Sequence, residues 1–436
     1  MAAERFTLRG EGRQEARQLA LALRTLAAAP PELGDEVREI LASVYQRGDS
    51  AVLELTRRFD SPSAPDELRV PPERIRASLG QIDPAVRAGL ELAAANVRRV
   101  CEAEASLEET VELPEGQVVE LRELAVQSAG AYVPGGRAAY PSSAIMCCVP
   151  ARVAGVERLA VATPPGHDGE PNPYVLAACA LCEVEEVYSI GGAQAVAALA
   201  FGTESVPAVD VVVGPGSYYV QEAKRQVAGV VGIDGVAGPS ELVVIADADA
   251  DPHLVALDLA AQSEHGAETL LALVSPYEFV LNEVESELAA ISKQYPSVSD
   301  ATVALVAVPS LEAAIATANE IAPEHLELFC AGARELAGKV RTSGCVFLGS
   351  GGGAAFGDYV AGSNHVLPTG GAARFGGPLG VARFRRRQAL VSLPERATRA
   401  LAPHVDAIAR AEGFPVHAQS ALERSRLDRS GPGGPA

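Results

Sequence analysis

The chain has 436 residues, enough for two or three domains, because single hydrophobic cores stop growing at roughly 250–300 residues. Its 48% hydrophobic and 21% charged residues are typical of a globular protein. The formal net charge of -20 argues against a nucleic-acid or anionic-membrane partner, because phosphate surfaces repel so acidic a chain. We find no apolar stretch long enough for a spanning helix and no apolar signal core, so we expect a cytoplasmic protein.

The first ~110 residues are predicted to be helical, because apolar residues recur there at three- and four-residue steps. The clearest segments are Glu36–Asp49, Ala51–Phe59 and Pro84–Glu104. This part of the chain shows no evident chemistry.

From Glu157 onward, short β-branched runs alternate with Ala-rich helical segments, which predicts parallel sheets built from βαβ units. There is room for two such sheets. The predicted strands are Arg158–Thr163, Glu186–Ile190, Val209–Val213, Glu241–Ala246, Thr269–Val274, Thr302–Val308 and Cys345–Leu348. The helices predicted between them are Tyr174–Cys182, Ala193–Phe201, Tyr218–Val227, Pro252–His265 and Leu311–Ile321.

Two predicted strand-to-helix corners carry glycines, Gly191-Gly192 and Gly214-Pro215-Gly216-Ser217. In open α/β sheets, free backbone N–H groups at the carboxyl ends of strands bind phosphates and carboxylates. Both corners are therefore candidate cofactor loops. Neither is a complete G-x-G-x-x-G, and tight-turn glycines in ordinary βα connections explain them equally well.

Seven cysteines are too few and too scattered for a disulfide framework, and Cys179 and Cys182 lack the context of a redox or zinc motif. The chain holds only seven histidines, and several lie beside carboxylates or carboxamides. Gln262 and His265 stand three residues apart on a predicted helix, close enough to share a metal ion, although such a pair is more often a polar helix end.

Glu324 and His325 follow Pro323 and precede a short apolar run. An adjacent carboxylate and imidazole supply two proton-transfer groups with separable pKa values. Without further context, the same pair is also consistent with an exposed turn.

Asp358 and His365 follow a glycine-rich stretch, 349–353, in a segment that we interpret as a loop too glycine-broken for a helix. Polar loops between glycines are often functional. Glu412 and His417 flank a Gly-Phe-Pro turn near the C-terminus. The arginine run around 383–387 is interpreted as a solvated face or a subunit contact.

Several motifs, in order along the chain, together resemble the histidinol dehydrogenase family. The resemblance covers about residues 38–424 and rests on Ala131-Tyr132-Val133-Pro134-Gly135-Gly136, Ser189-Ile190-Gly191-Gly192-Ala193-Gln194-Ala195, Gly214-Pro215-Gly216, Gly238-Pro239-Ser240-Glu241, Gln262-Ser263-Glu264-His265, Ala322-Pro323-Glu324-His325-Leu326, Gly357-Asp358-Tyr359 and Asn364-His365-Val366-Leu367-Pro368-Thr369.

The family resemblance implies an α/β fold with two incomplete Rossmann-like parallel-sheet domains, a helical N-terminal arm and a small C-terminal helical segment exchanged in a homodimer. The expected arm covers residues 1–30, and the first Rossmann-like domain covers 31–131 plus 241–380. The second such domain covers 132–240, the C-terminal dimer segment 381–425, and a disordered tail 426–436.

The resemblance also implies the activity, a zinc- and NAD-dependent four-electron oxidation of L-histidinol through L-histidinal to L-histidine. Glu324 and His325 would be catalytic. The single zinc ion of each subunit would be held by Gln262, His265, Asp358 and His417. Substrate would contact Ser240, Gln262, His265, His325, Asp358, His365, Glu412 and His417. NAD would contact Tyr132, Gln194 and Ser217. Glu412 and His417 would come from the partner subunit of the homodimer.

Two departures from the family pattern stand out. Ser217 occupies a position where the family usually has Asn, which changes one expected cofactor hydrogen bond. The segment 352–356 is Gly-Gly-Ala-Ala-Phe, where the family commonly shows a Ser/Thr-Pro pair. Two other functions remain open: oxidation of another small diol or amino alcohol by a sister enzyme, and a zinc hydrolase that uses Glu324 to activate water.

Overall fold

The computed structural model of the protein describes residues 1–27, 33–104, 109–135, 138–236, 238–298 and 300–426. The chain divides into two compact units. One comprises Met1–Glu104 and Val126–Phe384, and the other comprises Ala105–Ala125 and Arg385–Ala436. The expected disordered tail, from 427 onward, lies outside the described residues.

The strands of the described chain are β1 Ala2–Thr7, β2 Glu109–Glu112, β3 Val118–Ala125, β4 Ser128–Tyr132, β5 Arg158–Thr163, β6 Glu186–Ser189, β7 Val211–Val213, β8 Gly232–Ile233, β9 Glu241–Ala246, β10 Leu270–Ser275, β11 Thr302–Ala307, β12 His325–Phe329, β13 Cys345–Leu348 and β14 Arg385–Ser392. Its α-helices are α1 Arg13–Arg24, α2 Leu33–Arg47, α3 Asp49–Phe59, α4 Pro72–Ser78, α5 Pro84–Ala103, α6 Pro141–Ala154, α7 Pro173–Leu181, α8 Gly192–Phe201, α9 Tyr218–Val227, α10 Pro252–Ser263, α11 Glu278–Gln294, α12 Leu311–Ile321, α13 Ala333–Ala337, α14 Ala354–Tyr359, α15 Glu395–Ala411 and α16 Pro415–Ser425.

A six-stranded sheet in the larger unit has the order β1-β11-β10-β9-β12-β13, with every neighbouring pair parallel. Its central strands β9 and β10 are buried along their whole length, as expected for continuous apolar runs covered by helices on both faces. Helix α10 begins cleanly because Pro252 occupies its first position and the Asp251 carboxylate caps the N–H groups of His253 and Leu254. It then runs back along the sheet from the carboxyl end of β9.

A five-stranded sheet in the same unit has the order β6-β5-β4-β7-β8, again with parallel neighbours. Its strands β5 and β7 and its Ala-rich helix α8 are almost wholly buried. Two incomplete parallel-sheet layers, each with helical crossovers, confirm the predicted α/β fold class.

The smaller unit contains a three-stranded antiparallel sheet, β14-β3-β2, followed by helices α15 and α16. The arginine run predicted to form a solvated face begins β14, which pairs with β3 along all eight of its residues. The predicted exchange of this segment between subunits stays a prediction, as do the predicted domain boundaries.

Two local expectations were wrong. The first residues of the predicted helical arm form β1, which pairs with β11 in the six-stranded sheet. Residues 354–359, interpreted as a glycine-broken loop, form helix α14. Within the described part of the chain, no helix is long and apolar enough to cross a membrane.

Candidate active site

The predicted proton-transfer pair lies at the amino edge of the six-stranded sheet. Ser240 directly precedes β9, and Glu324 directly precedes β12, whose first residue is His325. Parallel neighbours bring these strand starts together, since His325 is paired with Leu242 in the sheet. Ligands of open α/β sheets usually bind at the opposite, carboxyl edge. Here the crossover helix α10 carries polar side chains back to the amino edge.

The Glu324 carboxylate is held in one orientation by two hydrogen bonds to the same oxygen. Its Oε2 atom accepts from the Ser240 hydroxyl at 2.7 Å and from the Glu241 backbone N–H at 2.8 Å. The Gln262 side-chain amide donates to the Ser240 oxygen. Among the described residues, Glu324 Oε1 has no hydrogen-bond donor, so this oxygen is available to a water molecule or a ligand.

The His325 imidazole is buried, with 2% of its surface exposed. Its Nδ1 atom lies 3.2 Å from the Glu241 carbonyl oxygen, which fixes a proton on Nδ1 and leaves Nε2 as the acid–base atom. Nε2 is buried and has no hydrogen-bond partner in the described chain. The Phe347 ring stacks on the imidazole at a centroid distance of 6.1 Å, which holds the ring plane in place.

The Asp358 carboxylate lies at the centre of three histidines. Its oxygens are 3.8 Å from His265 Nε2, 3.8 Å from His325 Nε2 and 4.0 Å from His365 Nδ1. Burial raises the pKa of Asp358, but the three imidazoles outweigh burial and leave this pKa below its usual value. The Asp358 carboxylate in turn raises the pKa of His265.

The pKa values of the other two histidines move in opposite directions. Burial lowers the pKa of His325, but the Glu324 and Asp358 carboxylates outweigh it and raise this pKa to about 9. Burial lowers the pKa of His365 below its usual value. His365 Nδ1 is 2.7 Å from the Asp358 carbonyl oxygen, so its proton is fixed on Nδ1.

Helix α14 presents Asp358 because a glycine lets it approach the sheet. A Cβ atom on Gly357 would lie 2.5 Å from the Phe347 ring, well inside van der Waals contact. The same Phe347 ring stacks on His325. The loop after α14 is fixed by Asn364, whose amide donates to the Met146 carbonyl oxygen at 2.7 Å.

Gln262, His265 and Asp358 are the predicted zinc ligands that belong to the larger unit. The Gln262 amide nitrogen is engaged with Ser240, so its carbonyl oxygen is free to act as a ligand. Two ligands at ~2.0–2.2 Å from a zinc ion lie ~3–4 Å apart, which fits the 3.8 Å between His265 Nε2 and Asp358 Oδ2. The described residues contain no group of three His, Cys, Asp or Glu side chains that could hold a metal. The fit to zinc rests on the separation of His265 from Asp358, with the Gln262 carbonyl oxygen as the third predicted ligand.

The three predicted cofactor residues lie at the carboxyl edge of the five-stranded sheet. Tyr132 ends β4, Gln194 is in the first turn of α8 and Ser217 precedes α9. The Tyr132 ring separates the two glycine corners, because its hydroxyl accepts from Gly192 N–H and its edge lies against Gly216. Ser217 is exposed and its hydroxyl makes no capping bond.

The expectation of free N–H groups at the Gly191-Gly192 corner was wrong. The Gly191 N–H donates to the Asp60 carboxylate at 3.2 Å, and the Gly192 N–H donates to the Tyr132 hydroxyl at 3.2 Å. The same Asp60 oxygen accepts from the Gln194 amide at 3.0 Å. This corner therefore orients Gln194 and Tyr132, and its two glycine N–H groups are already engaged.

Glu412 and His417 belong to the smaller unit, whereas the other predicted site residues belong to the larger one. Glu412 directly follows α15 as its C-cap, and His417 lies in the first turn of α16. Both side chains are exposed, and the His417 ring packs against Phe414 at a centroid distance of 5.5 Å. Their assignment to the substrate and metal stays a prediction.

Comparison with known proteins identifies the family. The family model described as histidinol dehydrogenase matches residues 25–425 of the chain. The chain belongs to the histidinol dehydrogenase family. The prediction of an oxidoreductase of this family is thereby confirmed, and the hydrolase alternative falls.

Similarity to named histidinol dehydrogenases extends over nearly the whole chain. The chain is 43% identical to the enzyme of Pseudomonas fluorescens strain Pf-5 over 403 residues, covering 90% of both proteins. It is also 43% identical to that of Nitrosomonas europaea over 402 residues, covering 90% of this chain and 93% of the relative. The crystal structure of histidinol dehydrogenase from Elizabethkingia anophelis superimposes with a TM-score of 0.88 at 29% identity, covering 96% and 97% of the two chains.

The sequence analysis did not identify Asp60, Asp258 or Glu327, three carboxylates that lie next to predicted site residues. Asp60 follows a helix and has no motif around it. Glu327 carried a signal in the sequence, because it is a lone carboxylate within the otherwise apolar strand 325–329. A charged residue at a fully buried strand position usually serves a specific partner.

Proposed function

We propose that the protein oxidises L-histidinol through L-histidinal to L-histidine in the cytoplasm, using NAD and one zinc ion per subunit. The overall reaction converts the alcohol, one water and two NAD into the carboxylate, two NADH and three protons. We propose a homodimer in which Glu412 and His417 of one subunit complete the site of the other. The observation that carries the proposal is the buried, unpartnered His325 Nε2 atom, 3.8 Å from the Asp358 carboxylate, on an imidazole whose Nδ1 lies 3.5 Å from Glu324.

His325 is the base of both oxidation steps. Its Nδ1–H donates to the Glu241 carbonyl oxygen, so Nε2 accepts the hydroxyl proton of the alcohol as hydride leaves for the cofactor. In the second step, Nε2 accepts a proton from the hydrate of the aldehyde. The Phe347 ring keeps the imidazole in the orientation that both steps need.

Glu324 activates the water that converts the aldehyde into its hydrate. Its Oε2 atom is saturated by Ser240 and Glu241, which leaves Oε1 to accept a proton from water. A carboxylate held at one oxygen positions the other with little loss of side-chain freedom. The Glu324 carboxylate lies 3.5 Å from the His325 imidazole, so the two proton acceptors are close enough to act on the same carbon of the substrate.

Gln262, His265 and Asp358 would hold the zinc ion, with His417 of the partner subunit as the fourth ligand. When bound, zinc supplies a fixed template for the substrate nitrogens, and NAD supplies the hydride acceptor. Tyr132, Gln194 and Ser217 would bind NAD at the carboxyl edge of the five-stranded sheet. Ser240 and His365 would contribute hydrogen-bonding groups to the substrate.

The test is the number of NADH formed per histidinol consumed by purified, zinc-loaded protein. The parent is expected to form two NADH, and His325→Asn is expected to lose about 10²–10⁴ in kcat because it removes the base. Glu324→Gln is expected to form one NADH per site and then stall at the aldehyde. The control Glu312→Gln changes an exposed carboxylate paired with Lys339 and should behave as the parent.

The same assay separates the proposal from the sister activity. Absence of NADH with histidinol, together with NADH from another amino alcohol or diol, would move the chain to a sister reaction while keeping its acid–base groups. Absence of NADH with any such substrate, or full activity of His325→Asn, would overturn the proposed mechanism.

A further inference from the structure

Two carboxyl groups without a cationic partner lie beneath the candidate zinc site. Glu327, on β12, is fully buried, and its carboxyl contacts that of Asp258 on α10. No ion pair joins either group to Lys or Arg within the described residues. Burial and the neighbouring Asp258 raise the pKa of Glu327 to about 8, and burial raises the pKa of Asp258. Two such groups in contact share one proton near neutral pH, because both cannot be ionised.

The pair also contacts helix α14, which carries Asp358. Glu327 Oε1 accepts from the Ala354 N–H at 2.7 Å, at the start of α14. Glu327 Oε2 is buried and receives no N–H or O–H donor in the described chain. A hydrogen bond between the Glu327 and Asp258 carboxyl groups therefore needs a proton on one of the two. The Asp258 carboxylate also packs on Gly353, where a Cβ atom would lie 3.2 Å from Oδ1.

Asp258, Ala354 and Glu327, which we call the anchor residues, each lie one helical turn or two strand residues from a predicted site residue. Asp258 is one helical turn before Gln262, and Ala354 is one turn before Asp358. Glu327 lies two residues after His325, on the same face of β12. Residues at these spacings project in nearly the same direction, so fixing the anchors fixes the site residues above them.

We propose that Asp258 and Glu327 form a proton-sharing carboxyl pair that positions Gln262 and Asp358 for the metal ion. This inference rests on the proposed zinc site and adds two positioning residues to it. A hydrogen bond between a carboxylic acid and a carboxylate is short and strong, and it holds α10, β12 and α14 in one register. Neither group touches the substrate, the cofactor or the metal.

The test is zinc affinity, measured on the zinc-stripped full chain by competition with a chromophoric chelator. Glu327→Leu removes the acceptor for Ala354 N–H and the partner of Asp258, and is expected to weaken zinc binding about 10–100-fold, the usual effect of losing an outer-shell partner. Glu327→Gln keeps both contacts, because its amide donates to Asp258 and its carbonyl accepts from Ala354. It should bind zinc within about threefold of the parent.

Two further variants keep the test decisive. Glu327→Asp is one methylene shorter and cannot reach both partners, so it should also weaken zinc binding even if the leucine variant fails to fold. Glu335→Gln, on exposed helix α13, is the matched control. The unfolding midpoint of each zinc-free variant separates lost positioning from lost folding.

The outcomes distinguish this inference from the proposed function. Equal zinc affinity in the parent, Glu327→Leu and Glu327→Asp would overturn the positioning role while leaving the zinc assignment intact. Weak binding by Glu327→Gln equal to that of Glu327→Leu would overturn proton sharing. A parent chain that binds no zinc would overturn both this inference and the zinc part of the proposed function.

Discussion

Replacing Asp60 by Asn should stabilise the protein in a pH-dependent way. The Asp60 carboxylate is largely buried, and one of its oxygens accepts both from Gly191 N–H and from the Gln194 amide. No ion pair to Lys or Arg offsets its charge within the described residues. Burial raises the pKa of Asp60 from 3.8 to about 6, although the two hydrogen bonds act in the opposite direction. An Asn carbonyl oxygen can accept the same two hydrogen bonds without the buried charge.

The magnitude follows from the difference in proton binding between the folded and unfolded chains. A carboxyl group whose pKa is raised on folding destabilises the native state when it is ionised. The destabilisation begins above the unfolded pKa of 3.8 and is complete above the folded pKa of about 6. It amounts to about 2 kcal/mol at pH 5 and to an upper limit of about 3 kcal/mol at pH 8. Asp60→Asn removes this contribution and should raise the free energy of unfolding by up to those amounts.

The assay is urea unfolding of the parent and Asp60→Asn at pH 5 and pH 8. The matched control is Asp66→Asn, which removes an exposed carboxylate paired with Arg57 and should change stability by less than about 1 kcal/mol. A gain that grows from pH 5 to pH 8 supports the buried-charge argument. A gain that is the same at both pH values, or a loss at pH 8, would refute it.

Other substitutions test the cofactor residues and the base. Ser217→Asn should lower the KM for NAD about 2–10-fold, because one added hydrogen bond contributes about 0.5–1.5 kcal/mol. Steady-state kinetics measure the change, with Ser217→Ala as the control. Gly214→Ala should destabilise the chain by more than about 3 kcal/mol in thermal unfolding, since φ is +119° and the new Cβ would lie 2.1 Å from the Tyr132 carbonyl oxygen. Because His325 must be neutral to act as a base, histidinol oxidation should increase as the pH rises towards the His325 pKa of about 9, and a rate that falls over this range would contradict its role.

The sequence predicted those parts of the fold whose burial produces continuous apolar runs. The strands β5, β9, β10 and β13 were located to within a residue, because they are rich in aliphatic side chains. Strand β1 was missed because all but one of its residues are exposed and its sequence carries no apolar run. Strand β14 was not predicted because it begins with arginines. An antiparallel strand that faces solvent tolerates charges that a buried parallel strand does not.

The proton-transfer residues were recognisable because their motifs are local, whereas their supports come from distant segments. Glu324 and His325 are adjacent in the sequence, but the carboxyl oxygen of Glu324 is held by Ser240, 84 residues away. Helix α14 forms where the glycine content predicted a loop. Glu327 accepts from the first N–H of this helix, and Gly357 allows the helix to approach Phe347. Tertiary contacts of this kind override local propensity and leave no periodic signal.

The pairing of β1 with β11 constrains the order in which the protein can assemble. Ala2 is paired with Thr302, so this strand must wait for 300 later residues before its hydrogen bonds can form. Contacts of such sequence separation slow folding, and during that time the ribosome-bound chain exposes an unpaired segment. If β1 detached from the folded protein, β11 would become an edge strand with unpaired backbone N–H and C=O groups. Because β11 is rich in buried aliphatic residues, this edge could pair with another copy of the chain. Arg5 of β1 forms ion pairs with Glu278 and Glu285 of α11, which add to the hydrogen bonds that hold β1 in place.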